Sequence, residues 1–240
     1  MTPSGLPPPL TLRISSVRRA TALTRLVRAD LDGAPFRYLP GQAAMLGETG
    51  QDEYVPYSIS SAPEETRRFG WLEFLIKLEP SGRWGHKFDR LARGMNVLMR
   101  GPFGTFVFPP RPRERRFLFI AGGTGIAPIR AMIRHAILTR QPGRLRLVYS
   151  ARTPGEFAYL PELRAMVRDR ELEMQLTATR EVGPRWRGER GRIAAGRLPA
   201  FVDHPETLCF VCGPAAMVND VPLMLTHAGV DAARIRVEQW

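Results

Sequence analysis

One run constrains this chain more than any other: Phe117-Leu118-Phe119-Ile120-Ala121, followed by Gly122-Gly123-Thr124-Gly125-Ile126-Ala127-Pro128. A continuous apolar stretch reads as a strand buried on both faces, the pattern of a parallel sheet. Gly122, Gly123 and Gly125 permit a tight turn in which backbone N–H groups approach a bulky anion. Ile126, Ile129, Met132, Ile133, Ala136 and Ile137 then recur at helical spacing, so the turn opens a helix whose N-terminus favours negative charge. Strand, turn and helix form a phosphate-binding corner. The dinucleotide fingerprint G-x-G-x-x-G is not matched, because Ile126-Ala127-Pro128 follow Gly125, and the Lys-Ser or Lys-Thr pair of an ATP-type loop is missing. Taken alone, a ligand-free glycine turn fits the same residues, and the flanking sequence has to decide.

Downstream, strand-like and helix-like stretches alternate. Strands are expected at 116–121, 144–150, 173–179, 207–212 and 234–238, and helices at 126–139, 161–170 and 215–228, with 180–200 irregular. That rhythm predicts an α/β doubly wound parallel sheet, whose ligands sit outside the carboxyl ends of the strands. The strands lead in turn into the glycine run, Ser150-Ala151-Arg152-Thr153, Thr179-Arg180, Cys212-Gly213-Pro214 and Glu238-Gln239-Trp240. Every distinctive residue of this half therefore falls on one edge of one sheet.

Residues 10–110 read differently. Short strands at 10–17, 21–31, 42–46, 54–60, 71–78, 96–100 and 105–108, separated by Gly and Pro turns, predict a small antiparallel β-barrel with one helix at 84–93. The stiff, charged run Pro109-Pro110-Arg111-Pro112-Arg113 marks the boundary, giving domains 1–112 and 113–240. Two barrel stretches carry candidate chemistry. In Tyr57-Ser58-Ile59-Ser60 a ring beside small hydroxyls can stack on and donate to a planar ligand. In Arg100-Gly101-Pro102-Phe103-Gly104-Thr105 two glycines bring backbone N–H groups toward a phosphate, with Arg100 adding charge. Alternating residues on a half-buried strand and a plain turn explain the two stretches equally well in isolation.

The formal charge of +12 allows nucleic acid, an acidic protein or anionic cofactors as partners. The basic residues are scattered without an aromatic-interleaved stripe, which argues against nucleic acid. No apolar run approaches a membrane span, the Pro-rich start has no signal-peptide core, and two cysteines cannot form a disulfide framework; the expected location is the cytoplasm. Cys209 and Cys212 form C-x-x-C on a strand, with no further Cys or His pair to complete a metal site, so no metal is expected.

Four stretches and a terminal ending, in this order, resemble the ferredoxin–NAD(P) reductase superfamily, a flavin-binding barrel followed by a nicotinamide-nucleotide domain. Tyr57-Ser58 is similar to the R-x-Y-S flavin motif, Gly101 to Phe106 to the segment after the last barrel strands, and Gly122 to Pro128 to the pyrophosphate loop. Cys212-Gly213-Pro214-Ala215-Ala216-Met217 matches C-G-x-x-x-M, and Glu238-Gln239-Trp240 the acidic-x-aromatic ending. The resemblance implies bound FAD, with FMN an alternative, and NADPH or NADH as donor. It implies Tyr57 stacking on the flavin, Ser58 hydrogen-bonding near N5 with Ser60 close by, and Cys212 near nicotinamide C4 beside Glu238. Trp240 would cover the flavin face that nicotinamide must reach. One departure stands out: the motif Arg that neutralises the flavin phosphate is Val55 here, and Arg83 and Lys87 are the candidate substitutes. Arg152, Arg180 and Arg192 lie at or beyond strand ends two and three, where an adenosine ribose would sit, and lean the donor toward NADPH; a solvated surface Arg is the alternative for each, the better fit for Arg192 and the poorer one for Arg152.

The expected activity is a flavin-dependent NAD(P)H oxidoreductase. There is no plant-type iron–sulfur cysteine set, so electrons would pass to a separate acidic ferredoxin or oxygenase component. A reductase of free flavin, in keeping with Val55, and a non-turnover subunit of a larger complex are the alternatives.

Overall fold

The computed structural model describes residues 8–50, 53–78, 91–180, 182–202 and 204–240. The expected helix at 84–93, with Arg83 and Lys87, lies largely outside them, and its described end, 91–93, is not helical.

Six antiparallel strands form the N-terminal sheet: β1 (Leu10–Arg19), β2 (Thr24–Asp30), β3 (Ala43–Glu48), β4 (Tyr54–Ser58), β5 (Trp71–Lys77) and β6 (Asn96–Phe103), in the order β4-β3-β6-β1-β2-β5. An antiparallel bridge from Ile59 to Phe74, with Ser60 N–H donating to the Glu73 carbonyl at 2.8 Å, closes β4 onto β5 and makes the sheet a barrel. Closure follows from patterning: Leu12 and Ile14 on β1, Val27 and Ala29 on β2, and Leu72, Phe74 and Ile76 on β5 alternate inward to one core. Residues 105–108, expected as a strand, are irregular. Phe106 and Phe108 leave the barrel and enter the core of the second sheet, where Phe108 lies 5.0 Å from Phe117 and 5.8 Å from Phe210, ring to ring. Burial there replaces ladder pairing.

A helix absent from the sequence reading, α1 (Pro63–Phe69), follows β4 directly. Its signals are local. Pro63 opens it, the Glu65 carboxylate accepts the Ala62 N–H at 2.9 Å, acids occupy the first turn and Arg67 and Arg68 the last, and Gly70 caps it at φ 75°.

The second sheet is wholly parallel: β7 (Arg116–Gly122), β8 (Arg144–Ala151), β9 (Glu173–Ala178), β10 (Glu189–Arg190), β11 (Leu208–Gly213) and β12 (Ile235–Gln239), in the order β10-β9-β8-β7-β11-β12. The short β10 and a 3₁₀ segment at Ala195–Ala200 occupy part of the stretch expected to be irregular. Helices α2 (Ile126–Leu138) and α3 (Leu160–Arg168) cover one face with Phe117, Phe119, Leu147 and Phe210. Helix α4 (Ala215–His227) and Leu198 cover the other with Leu118, Ile120, Cys209 and Val211. The order reverses between β7 and β11, the switch point where such sheets bind ligands.

The barrel packs on the α2–α3 face through every second residue of β5. Leu75 joins the second core, and Glu73, 1% exposed, meets Tyr159, whose hydroxyl lies 3.1 Å from its carboxylate. Gly41 makes the close approach possible. A Cβ there, at φ 103°, would stand 2.3 Å from the Phe106 carbonyl oxygen and 2.4 Å from the Met132 methyl.

Candidate active site

A cavity of about 380 Å³ opens at the switch point between barrel and sheet. Its floor is the glycine turn, with Gly122, Gly123 and Thr124 in the lining. Ser150 and Ala151 at the end of β8 with Arg152 just past it, Thr179 after β9, and Pro214, Ala216 and Met217 at the start of α4 form the sheet side; Thr21, Leu23, Thr24 and Lys77 form the barrel side. No side chain caps the start of α2, so that helix N-terminus suits an anion. Tyr149, fully buried, anchors the turn: its hydroxyl donates to the Gly123 carbonyl at 3.1 Å and accepts from Ala158 N–H.

Each glycine is explained by what a Cβ would strike. At Gly125 it would stand 2.3 Å from the Cys212 carbonyl oxygen, at Gly122 2.8 Å from the Met217 methyl, and at Gly213 2.6 Å from the Met217 sulfur. Gly125 and Pro128 are buried in the start of α2 and do not line the cavity. Met217 instead packs over Gly122 and Gly213 and lines the cavity.

Trp240 rests on the glycine turn. Its indole N–H donates to the Gly122 carbonyl at 3.1 Å, its ring would meet a Cβ on Gly123 at 3.2 Å, and the Lys77 ammonium lies 5.5 Å from the ring centre. Cys212 sits beneath, on the sheet face turned toward the barrel, with Sγ 3.9 Å from Glu238 Oε2. Burial raises the Glu238 carboxyl to about 7, and burial with the Glu238 charge pushes the Cys212 thiol well up. The thiol is therefore neutral, an apolar wall with a weak donor and no nucleophile. Cys209 is buried on the opposite face with Val211. The two sulfurs of C-x-x-C thus lie on opposite sides of β11.

At the barrel end, β3 pairs Ala43 with both Ser58 and Phe103, so Tyr57-Ser58 and Gly101–Thr105 come together. Gly104 (φ 97°) and Thr105 are exposed, and the Gly104 carbonyl accepts from the Gln42 amide at 3.2 Å. The antiparallel bridge at Ile59–Phe74 sets the end of β4 against β5, whose Lys77 lines the cavity, while Tyr57 and Ser58 lie outside its lining. Val55 packs against the barrel core. On the same three strands Arg100 lies over the Tyr54 ring at 5.1 Å with its buried Nε unpartnered. A buried guanidinium N–H without an acceptor suits a flavin phosphate.

Two expectations change. Ser60 is fully buried; its hydroxyl donates to the Glu73 carbonyl at 2.9 Å and accepts from Tyr159 at 2.9 Å, which places it in the domain interface. Arg180 is exposed and outside the cavity lining, because β9 ends with its backbone N–H turned to the Arg152 carbonyl. Arg192 is exposed, as the surface reading has it, and also lines the cavity, as Arg152 does. The short strand β10, pairing with Thr177 and Ala178, carries it back there.

The oxidoreductase FAD-binding domain family matches residues 11–108 and the oxidoreductase NAD-binding domain family residues 119–222. The ferredoxin–NADP reductase B of Sorangium cellulosum (strain So ce56) is 28% identical over 97% of this chain and 98% of its own length. The glycine betaine monooxygenase reductase subunit of Chromohalobacter salexigens is 30% identical over 85% of this chain, which spans only 56% of that protein. Among solved structures, a ferredoxin reductase of carbazole 1,9a-dioxygenase superposes with TM-score 0.82 at 26% identity, covering 96% of this chain and 69% of its own. With both domain families matched in order along it, this chain belongs to the ferredoxin–NAD(P) reductase superfamily and is an FAD-dependent oxidoreductase.

Proposed function

We propose that the protein passes electrons from NADPH, through FAD held at the β4 end of the barrel, to a separate acidic ferredoxin or oxygenase component. The observation that carries this reading is the switch-point cavity, which joins an uncapped helix N-terminus to a barrel wall and two arginines. The cofactors, when bound, supply hydride transfer from nicotinamide to flavin and one-electron release afterwards. The chain's residues bind, orient and exclude water. Tyr57 offers a ring to stack on the isoalloxazine and Ser58 a hydroxyl for its N5 edge. Gly122, Gly123 and Thr124 offer the pyrophosphate their backbone N–H groups, with Arg100 as the flavin-phosphate cation in place of the motif Arg. Cys212, 1% exposed, keeps water from the reacting face, and Glu238 holds a proton beside it. Trp240 covers the glycine turn and has to shift before a dinucleotide reaches it.

Arg152 and Arg192 on one cavity wall support NADPH as donor, since guanidinium groups suit a 2′-phosphate. Replacing both by Ala should raise KM for NADPH roughly ten- to hundredfold, as charge-assisted hydrogen bonds contribute about 1.5–3 kcal/mol, and barely move KM for NADH. An unchanged NADPH KM would remove the assignment.

The deciding measurement is the visible spectrum of the purified protein before and after anaerobic NADPH or NADH. A yellow protein bleached by nucleotide supports the reading. Val55 favours a second one, reduction of free flavin, and a colourless protein that oxidises NAD(P)H only with added flavin would support that instead.

A further inference from the structure

Arg130, on the second turn of α2 and 4% exposed, makes five hydrogen bonds across and beside the domain interface. Nη1 donates to the Ser60 carbonyl at 2.7 Å and to Glu65 at 3.0 Å; Nη2 reaches Glu65 at 3.3 Å and Glu162 at 2.8 Å, and Nε reaches Glu162 at 2.8 Å. Its guanidinium lies 4.9 Å over the Tyr159 ring, whose hydroxyl bonds Ser60 Oγ and Glu73. Arg134 to Glu65 at 3.0 Å, with Arg28 at 2.8 Å and Arg18 at 3.8 Å from Glu73, completes a network of three carboxylates and four guanidinium groups.

Buried ion networks are weak sources of stability, because desolvation offsets most of the attraction. Adhesion between the domains comes from Leu75, Phe106 and Phe108 against α2 and β7, and such burial is non-directional. The directional bonds fix register instead, and their ends are well placed to do it. Both polar atoms of the Ser60 C=O and hydroxyl are held from the nucleotide domain, two residues beyond Ser58. Arg130 stands four residues past Ile126, one helical turn from the glycine turn.

We propose that Arg130 and Tyr159 are positioning residues, clamping the exit of the flavin strand to the nucleotide helix so that nicotinamide and flavin meet in reacting register. The clamp rests on the reading that the two cofactors meet between these sheets. A misplacement of about 1 Å between reacting partners lowers a rate roughly hundredfold, so a loosened clamp affects the rate before it affects binding.

The test uses the full chain with Tyr159→Phe, which keeps the ring and deletes the hydroxyl, and Arg130→Lys, which keeps the charge and deletes the fork. Rapid-mixing reduction by saturating nucleotide should slow at least tenfold in both, with flavin content and nucleotide Kd within twofold of the parent. The long-wavelength absorbance of the nucleotide–flavin contact should weaken, and amide exchange at 60–66 should quicken in flavin-free protein. Rates and absorbance equal to the parent's would overturn the proposal even if the melting temperature fell, as would an effect confined to Kd. Should Arg130→Lys fail to fold, Tyr159→Phe decides alone. A parent that nucleotide does not bleach would refute the underlying cofactor reading instead.

Discussion

Glu238 is held near 7 by burial, with Cys212 beside it, which makes its charge depend on pH around neutrality. The folded state favours the protonated carboxyl, because the folded value lies above the ordinary 4.5. Its stabilising contribution is therefore complete below about 4.5 and disappears as pH rises through about 7. Glu238→Gln, neutral throughout, should lose less melting temperature than the parent between pH 5 and 8, and its reduction rate should show a flatter profile over the same range. Parallel melting curves would mean that the carboxyl is ordinary. Glycines make a second contrast. Gly125→Ala forces a Cβ to within 2.3 Å of backbone and should cost roughly 1–3 kcal/mol by overpacking, together with nucleotide affinity. Gly70→Ala meets open space but keeps φ at 75°, so about 1 kcal/mol of backbone strain is expected with NAD(P)H affinity unchanged. Chemical melts of both variants alongside nucleotide titration separate the two effects.

At the scale of elements, hydrophobic period was the legible signal. The apolar run at 117–121 and the 3.6-residue repeat after Ile126 place β7 and α2 within a residue or so of where they lie. Helix α1 went unread because its seven residues are too few for a period, although its cap residues were in plain view. Residues 105–108 alternate like a strand, yet Phe106 and Phe108 point into a different domain's core; alternation reports two faces and cannot say what covers either. Arg192 ranks below Arg152 in the sequence for a related reason. It follows a two-residue strand that only the fold returns to the cavity. For Ser60, sequence proximity to Ser58 says nothing of Tyr159, 99 residues away, which donates to its hydroxyl.

For the whole molecule, the excess of positive charge, formally +12, should act on encounter with an acidic acceptor. Reduction of an acidic ferredoxin should slow roughly tenfold between low and physiological salt, given Debye lengths of about 30 and 8 Å. Reduction of a small neutral quinone should not change. Equal salt dependence for both acceptors would rule out steering. Among the described residues no helix is long and apolar enough to cross a membrane, and both domains meet through a packed interface with ionic groups enclosed within it.

One part of that interface is written in alternate positions of β5, where Glu73 and Leu75 face the second domain and Lys77 its cavity while Leu72, Phe74 and Ile76 hold the barrel. A single strand thus belongs to two units of inheritance at once. Anyone recombining this barrel with a foreign nucleotide domain, cutting at the Pro-rich linker, would sever the covalent join but transplant only half of a fitted surface. The exchangeable module is the nucleotide domain plus the barrel side chains that meet it, and chimeras that graft Glu65, Glu73, Leu75, Lys77, Phe106 and Phe108 along with the donor domain should assemble where linker-only fusions do not.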